Sequence, residues 1–381
     1  MFSYWEKTAY LDSDLVIIGG GIVGLSVAAS VLEQYKGVRV LVLERSTLPS
    51  GASLRNAGFA CFGSLTEVLA DIRSMGFQAS VDLLLARYNG LSTTRKRLGD
   101  KAIGYQPVGG YELLPSAMES AWASMDMLNE QLRDYFSLYL YRDATDQLGS
   151  MGFSKQAIRY LIHNPLEGHL HSGALLRSLQ AYVIQKGGLV LHGVEVRSHT
   201  SAGAGNGVEV IASIQGKDTR LRPAACVICT NGFAQALVPQ LQVVPGRGQV
   251  MVTKPLDNIP FKGTFHMDEG YVYFRDLDDR VLIGGGRNLD FEQETTTEEG
   301  RNEGILNYLK ELLQNVVLPN RSFDIEYTWS GIMGFGKDKQ PIVAKIAPAT
   351  YAAVRMNGMG VAIAGSVGEQ VADLLAEQLA G

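Results

Sequence analysis

Short runs of aliphatic and β-branched residues alternate along the chain with stretches whose apolar positions recur every three or four residues. The clearest alternation lies near the N-terminus. Leu15-Val16-Ile17-Ile18 is too short for a helix and predicts a buried strand. Gly19 to Gly24 follows directly as G-x-G-x-x-G, and Leu25 to Glu33 carries a helical pattern. A second apolar run, Val38 to Leu43, ends at Glu44, twenty positions after the last of those glycines. Strand, glycine turn, helix and spaced acid together predict a dinucleotide site. Gly19 permits the tight turn, Gly21 lets a pyrophosphate approach the backbone, and Gly24 allows the helix to pack on its strand. The phosphates then sit on unpaired N–H groups at the helix N-terminus, with Ile22 and Val23 of the glycine turn among the cofactor-binding residues. Glu44 is placed to accept hydrogen bonds from ribose hydroxyls, and its charge disfavours a 2′-phosphate. The bland alternative is a glycine-rich turn that binds nothing.

Downstream, Pro49 to Phe59 is a loop of small residues, followed by helical patterns over Leu65 to Met75 and Phe77 to Leu98. Tyr105 to Leu114 predicts a strand pair, and Met118 to Asp134 a further helix. Ala174 to Lys186 is helical, and three strands at Leu189 to Leu191, Val208 to Ile214 and Ala225 to Cys229 suggest a βαβ-like return to the nucleotide sheet. Ser201 to Gly207 predicts a turn. From Pro245 the alternation becomes strand-like, predicting an antiparallel sheet with one packed face and one facing a cavity. Glu303 to Asn315 predicts a helix, Tyr351 to Val354 a strand, and Val361 to Leu379 a closing amphipathic helix. The expected fold is α/β: a Rossmann-like nucleotide domain, discontinuous in sequence (1–90, 145–244 and 331–381), and an α+β substrate domain on a mostly antiparallel sheet (91–144 and 245–330).

A chain of 381 residues calls for two cores rather than one. A net charge of −5 argues against a nucleic-acid partner, and no apolar window is long enough to span a membrane. The first ten residues lack a signal-peptide pattern, and three cysteines cannot build a disulfide framework, so the cytoplasm is the expected location. Forty-three glycines suit a backbone that approaches a large cofactor closely.

Several motifs then converge. Glu44-Arg45 is followed by Gly51-Ala-Ser-Leu-Arg-Asn-Ala-Gly58, Gly168-His-Leu-His171, Cys229-Thr-Asn-Gly232 and Pro245-Gly-Arg-Gly-Gln249, and the end carries Asp338-x-x-Pro341 and Asn357-Gly-Met-Gly-Val361. In this combination, and over nearly the whole chain, the sequence resembles the D-amino-acid-oxidase-like FAD-dependent amine oxidoreductases, which include glycine oxidase, sarcosine oxidase and γ-glutamylputrescine oxidase. The resemblance implies FAD rather than NAD, since a glutamate after the second strand serves both cofactors. It implies that Arg45 and Ser53 lie along the ADP half, that Val196 offers its backbone to the adenine, that Asn56, Ala57 and Gly58 pass the isoalloxazine, and that Arg55 is cofactor-binding. Thr230, Asn231, Gly232 and Gly331 are cofactor-binding by the same resemblance. Asn357, Gly358, Met359, Gly360 and Val361 open the last helix, whose N-terminus stabilises negative charge on the reduced flavin. Covalent relatives attach FAD through a cysteine near Gly331 or a histidine that falls at Arg55. Neither nucleophile is present, so non-covalent FAD is expected.

The substrate residues carry two readings each. Tyr271, Tyr273 and Arg275 alternate and share a face if extended. Tyr273 then lines the cavity or is plain core. Arg287, after three glycines, forks a substrate carboxylate or stands at the surface as most arginines do. Met333 takes the place of the arginine that grips the carboxylate in glycine oxidase. Either Arg287 or Arg355 replaces it, or the substrate is an amine without a carboxylate there. Leu282 or Ile283 replaces an oxygen-activating lysine of sarcosine oxidase, which puts fast use of oxygen in doubt.

Other features carry less. Cys226 and Cys229 face opposite sides of a strand, Cys61 is expected to be an inert buried thiol, and His169 with His171 lacks a third ligand, so no metal is expected. The sequence thus predicts oxidation of a small amine or amino acid by hydride transfer to flavin N5, with the imine hydrolysed afterwards. A dehydrogenase serving a quinone or protein acceptor, and a flavin-binding protein with a decayed amine site, are the competing readings. The pattern sets no oligomeric state.

Overall fold

The computed structural model describes residues 2–201 and 207–379. The turn expected over 201–207 therefore lies, in its central residues, outside the described part. A six-stranded sheet runs in the order Ile342–Ala347, Thr350–Val354, Ala225–Ile228, Leu15–Ile18, Val40–Glu44, Leu189–His192. All its pairings are parallel except that between the two C-terminal strands. Leu15–Ile18 is central and its four residues are at most 4% exposed, which explains why its sequence is apolar throughout rather than alternating.

Each strand divides its side chains between two cores. Leu15, Ile17, Val40 and Val42 pack under helices, whereas Val16, Ile18, Leu41 and Leu43 pack against the outer sheet. Cys226 and Cys229 fall into opposite cores, as strand geometry requires. The helical layer is unusually tight. A methyl group on Gly365 would lie 2.3 Å from Gly90 O, and one on Gly368 2.6 Å from Ser26 O. The closing helix, Gly360–Leu374, thereby lies against both Ile22–Gln34 and Phe77–Leu98.

Three expectations change here. Val208–Ile214 does not return to the nucleotide sheet. It is the middle strand of a separate antiparallel sheet with Glu195–Ser201 and Lys217–Leu221. Its alternate burial at Val208, Val210, Ala212 and Ile214 marks a one-sided strand, unlike the continuous run at Leu15. The helix expected from Met118 to Asp134 is broken into Glu119–Ala123 and Met125–Leu132 at Ser124, whose hydroxyl bonds back to Ser120 O. The final helix stops at Leu374 and resumes as a short turn, Ala376–Leu379.

The second sheet has eight strands in the order Ile325–Phe335, Val244–Thr253, Arg280–Gly285, Val272–Leu277, Thr264–Met267, Gly110–Leu114, Tyr160–Asn164, Arg142–Asp143. Only Thr264–Met267 with Gly110–Leu114 pairs in parallel. One face packs on an aromatic core of Phe153, Phe261, Phe265 and Phe274. The expected boundaries at 90, 145 and 330 do not follow this layout. Phe77–Leu98 is one helix across the first, Tyr160–Asn164 belongs to the eight-stranded sheet despite following the second, and Ile325–Phe335 is one strand across the third. Backbone pairing holds each segment where composition gave no punctuation.

Candidate active site

One cavity of about 1080 Å³ lies between the two sheets, and nearly all the residues singled out from sequence line it. At its nucleotide end the chain leaves Leu15–Ile18 through Gly19, whose φ of +111° favours glycine. Gly24, one turn into the helix, sits so near that a methyl group there would lie 1.9 Å from Gly19 O. Gly24 is therefore a packing glycine behind the wall. Gly21, Ile22 and Val23 are on the wall, and the Ile22 N–H donates to Ser53 Oγ at 2.9 Å. Glu44 Oε2 accepts the Gly20 N–H at 2.9 Å and Oε1 accepts the Ser46 N–H at 3.0 Å. Arg45 lies over the Phe233 ring at 4.1 Å, and Val196 joins the wall from its own strand. Thr230, also on the wall, buries its Oγ1 without a hydrogen-bond partner. The Gly21 and Val23 N–H groups at the start of the Ile22–Gln34 helix, the Glu44 carboxylate and this orphaned hydroxyl fit a bound dinucleotide.

The 51–58 loop is held by Asn56. Its Nδ2 donates to Ala52 O and Ser53 O, and its Oδ1 accepts from the Gly58 N–H and from the Ser172 hydroxyl. Ala57 faces the cavity, whereas Gly58 stands behind it, against Leu170 O. The Arg55 guanidinium turns away from the middle of the loop, donating to Ser330 O and pairing with Glu299. Gly331 leaves room for the Arg55 Cβ, and Gly232 for the Met333 carbonyl. Asn231 Oδ1 accepts the N–H groups of Arg355 and Met356, at 3.0 and 3.2 Å. Asn357 Oδ1 accepts the Gly336 N–H. These bonds hold the turn through Gly358 and Met359, so the helix from Gly360 opens on the cavity with no side chain capping its first turn. Its free N–H groups and dipole favour an anion.

The eight-stranded sheet supplies the other wall. Tyr273 faces the cavity, edge-on to Phe59 at 5.4 Å, and burial pushes its phenol up to about 12, so it stays a proton donor. Tyr271 also faces the cavity but precedes the strand, which begins at Val272. Arg275 is a structural residue, 4% exposed, donating to Gly58 O and Leu170 O. Of the two arginines open as carboxylate partners, Arg355 is committed to Asp338 at 2.8 Å and to Gln340 O. Arg287 is different. Its guanidinium lies 3.9 Å from the Phe335 ring centroid and 4.7 Å from that of Phe291, with no carboxylate paired to it among the described residues. Burial lowers its pKa, yet a guanidinium stays cationic at any ordinary pH. Met333 lies beside it on the wall, its Sδ 3.8 Å from where a Gly358 side chain would start.

The segment carrying Arg287 and Phe291 is fastened from below. Glu294, its side chain fully buried, pairs with Arg247 at 2.8 Å and accepts from Gln249 and Asn302. The Pro245-Gly-Arg-Gly-Gln249 motif thus holds this segment through Arg247 and Gln249. A polar group that the sequence reading missed also lines the cavity. Lys339 pairs with Glu67 at 3.3 Å and Asp71 at 2.8 Å, and Arg87 closes the network on Glu67. Burial opposes the Glu67 charge, but Arg87 and Lys339 outweigh it and lower its pKa. The i,i+4 spacing of Glu67 and Asp71 was visible, but on an amphipathic helix it reads as a solvated face.

The chain matches the family described as "FAD dependent oxidoreductase" (DAO) over residues 14–374. Among curated proteins it is 22% identical to the probable oxidoreductase OrdL of Haemophilus influenzae, covering 98% of this chain and 85% of that one. It is 24% identical to L-2-hydroxyglutarate dehydrogenase of Salmonella houtenae, covering 78% and 71%. Its fold is that of the L-proline dehydrogenase from P. horikoshii, with a TM-score of 0.77, 17% identity and coverage of 97% and 94%. Among the described residues no helix is long and apolar enough to cross a membrane. A match spanning both sheets and every wall of the cavity places the chain in the DAO family of FAD-dependent oxidoreductases.

Proposed function

We propose that the chain oxidises an amine that carries a carboxylate, an amino acid or N-substituted amino acid, with non-covalently held FAD. The observation that carries this is Arg287, a half-buried cation on the cavity wall, clamped between two aromatic rings and free of any acidic partner among the described residues. A buried cation without a counter-charge is costly unless a ligand supplies it, and the planar fork matches a carboxylate.

In this reading Glu44 holds the adenosine ribose, with Arg45 and Val196 alongside. The N–H groups of Gly21 and Val23, with the Ser53 hydroxyl that the Ile22 N–H positions, would meet the diphosphate, and Thr230 would find its missing partner on the cofactor. Ala57 and the segment 357–361 border the flavin ring. FAD, when bound, would supply hydride acceptance at N5, the chemistry that turns an amine into an imine for water to hydrolyse. The protein's share is orientation. Arg287 fixes the carboxylate, Tyr273 donates a hydrogen bond from a phenol that stays protonated, and the final helix offers positive potential where the reduced cofactor is anionic. Leu282 packs with Ala57 and Val250 in place of a lysine, which favours an acceptor other than oxygen. The three free thiols suit a reducing cytoplasm.

The test is anaerobic bleaching of the flavin band by glycine, sarcosine, D-amino acids, proline and polyamine conjugates, each paired with its decarboxylated counterpart. Bleaching by carboxylates alone supports the reading, and equal bleaching by the decarboxylated amines defeats it. Oxygen uptake measured against dye or quinone reduction separates oxidase from dehydrogenase.

A further inference from the structure

Behind the Tyr273 side of the cavity, three residues far apart in sequence meet. The short strands Phe59–Ala60 and Gly168–His169 pair antiparallel, Ala60 opposite Gly168, which sets Cys61 beside Glu167. His266 approaches from Thr264–Met267. One donor atom from each residue, a thiol sulfur, a carboxylate oxygen and an imidazole nitrogen, lies within 4.8 Å of the other two. Cys61 and Glu167 are 2% and 1% exposed.

The local accounting is incomplete. Glu167 Oε1 accepts the N–H groups of Phe62 and Gly63, but no cation pairs with this carboxylate among the described residues. The nearby charges of Arg87 and Lys339 are taken by Glu67 and Asp71. His266 Nε2 is buried without a hydrogen-bond partner, and the Cys61 thiol, with Thr264 Oγ1 at 3.1 Å and Gly168 O at 3.7 Å, also lies within hydrogen-bond reach of Glu167. A buried carboxyl that desolvation pushes up to about 7 for want of a counter-charge, an orphaned imidazole nitrogen and a thiol converge on one point, and a cation there would satisfy all three.

We propose that Cys61, Glu167 and His266 bind one divalent transition-metal cation of the zinc class. The sulfur–nitrogen–oxygen donor set suits zinc and excludes magnesium and calcium, which take oxygen ligands. Zinc ligands at about 2.0–2.3 Å from the metal stand within about 4 Å of one another, so binding closes the triangle by a small side-chain adjustment. The Cys61 thiol gives up its proton on binding. Three protein ligands leave a fourth tetrahedral position, and since Cys61 and His266 both line the cavity, it opens there to water or to an anionic group.

The experiment uses the FAD-loaded protein, stripped of metal, incubated with Zn²⁺ or Co²⁺ and desalted. One metal per chain by elemental analysis is expected, and the cobalt form should show ligand-field bands at longer wavelength than the flavin. The double variant Cys226→Ala/Cys229→Ala, which leaves Cys61 as the only thiol, should keep both the stoichiometry and a thiolate-to-cobalt charge-transfer band. His266→Gln and Cys61→Ser should weaken Zn²⁺ binding by more than the roughly 10–100-fold that outer-shell changes cost, at wild-type FAD content. Sub-stoichiometric metal in the wild type overturns the proposal, as does undiminished metal in His266→Gln. If those single variants lose FAD, the double variant decides alone: no thiolate–cobalt band there overturns the site.

Discussion

Arg287 is held 3.9 Å from the Phe335 ring centroid, a cation–π contact that leaves its N–H donors without a protein carboxylate among the described residues. Replacing it with alanine removes charge-assisted hydrogen bonds worth about 1.5–3 kcal/mol. KM for a carboxylated substrate should rise roughly 10–150-fold, with kcat less affected. Arg287→Lys should rescue little, because an ammonium neither stacks nor forks. Steady-state kinetics on the substrate found by flavin bleaching checks both, and an unchanged KM in Arg287→Ala removes this residue from the site.

Gly24→Ala forces a methyl group to 1.9 Å from Gly19 O, with no flexible side chain to yield. The glycine loop must shift from its strand, at a cost of about 1–3 kcal/mol or more. The protein should purify with little FAD and melt earlier than wild type. Full FAD occupancy at the wild-type melting temperature would contradict the packing argument.

Glu44→Gln keeps the shape of the side chain but loses the charge that accepts from Gly20 N–H and Ser46 N–H. FAD affinity should fall about tenfold, the worth of one charge-assisted hydrogen bond. Titration of apoprotein with FAD by fluorescence quenching measures it.

Arg247 and Glu294 form a buried pair, and leaving either charge alone costs about 3–5 kcal/mol. Glu294→Ala should therefore loosen the 287–300 segment, seen as faster limited proteolysis there and a higher KM. The pair also gives an acid limb. Burial raises the Glu294 pKa, but hydrogen bonds from Arg247, Gln249 and Asn302 lower it further than burial raises it. A depressed carboxyl stabilises the fold fully above its unfolded value near 4.5 and loses that contribution as pH falls through the lower folded value. The wild type should lose stability over that acid range, and Arg247→Met/Glu294→Leu should lose less of it.

The nucleotide half was legible because its signals are local. The apolar run at Leu15, the spacing of Gly19 to Gly24 and the acid at Glu44 each reflect short-range geometry, and the structure gathers them in two adjacent parallel strands and the turn and helix that join them. Arg287 was legible as a candidate, but its aromatic clamp depends on Phe335, which strand pairing alone brings near. The Arg247–Glu294 pair and the Cys61–Glu167–His266 meeting left no trace in spacing, since their partners come from separate strands and loops. Tyr160–Asn164 drew no strand prediction for the same reason: only its pairing with Gly110–Leu114 fixes its place in the eight-stranded sheet.

The closing helix has a consequence for how the protein is made. Gly365 and Gly368 press it against Gly90 and Ser26, and Asn231 ties its approach to the end of the Ala225–Ile228 strand. Synthesis releases the glycine loop about 340 residues ahead of its packing partner. Until that last helix emerges, the loop has one bare flank and the cavity lacks a wall. Such contacts, distant in sequence, form late and slowly. Chains stalled short of Gly360 should emerge from the ribosome colourless, and flavin capture should wait for the Gly360–Leu374 helix.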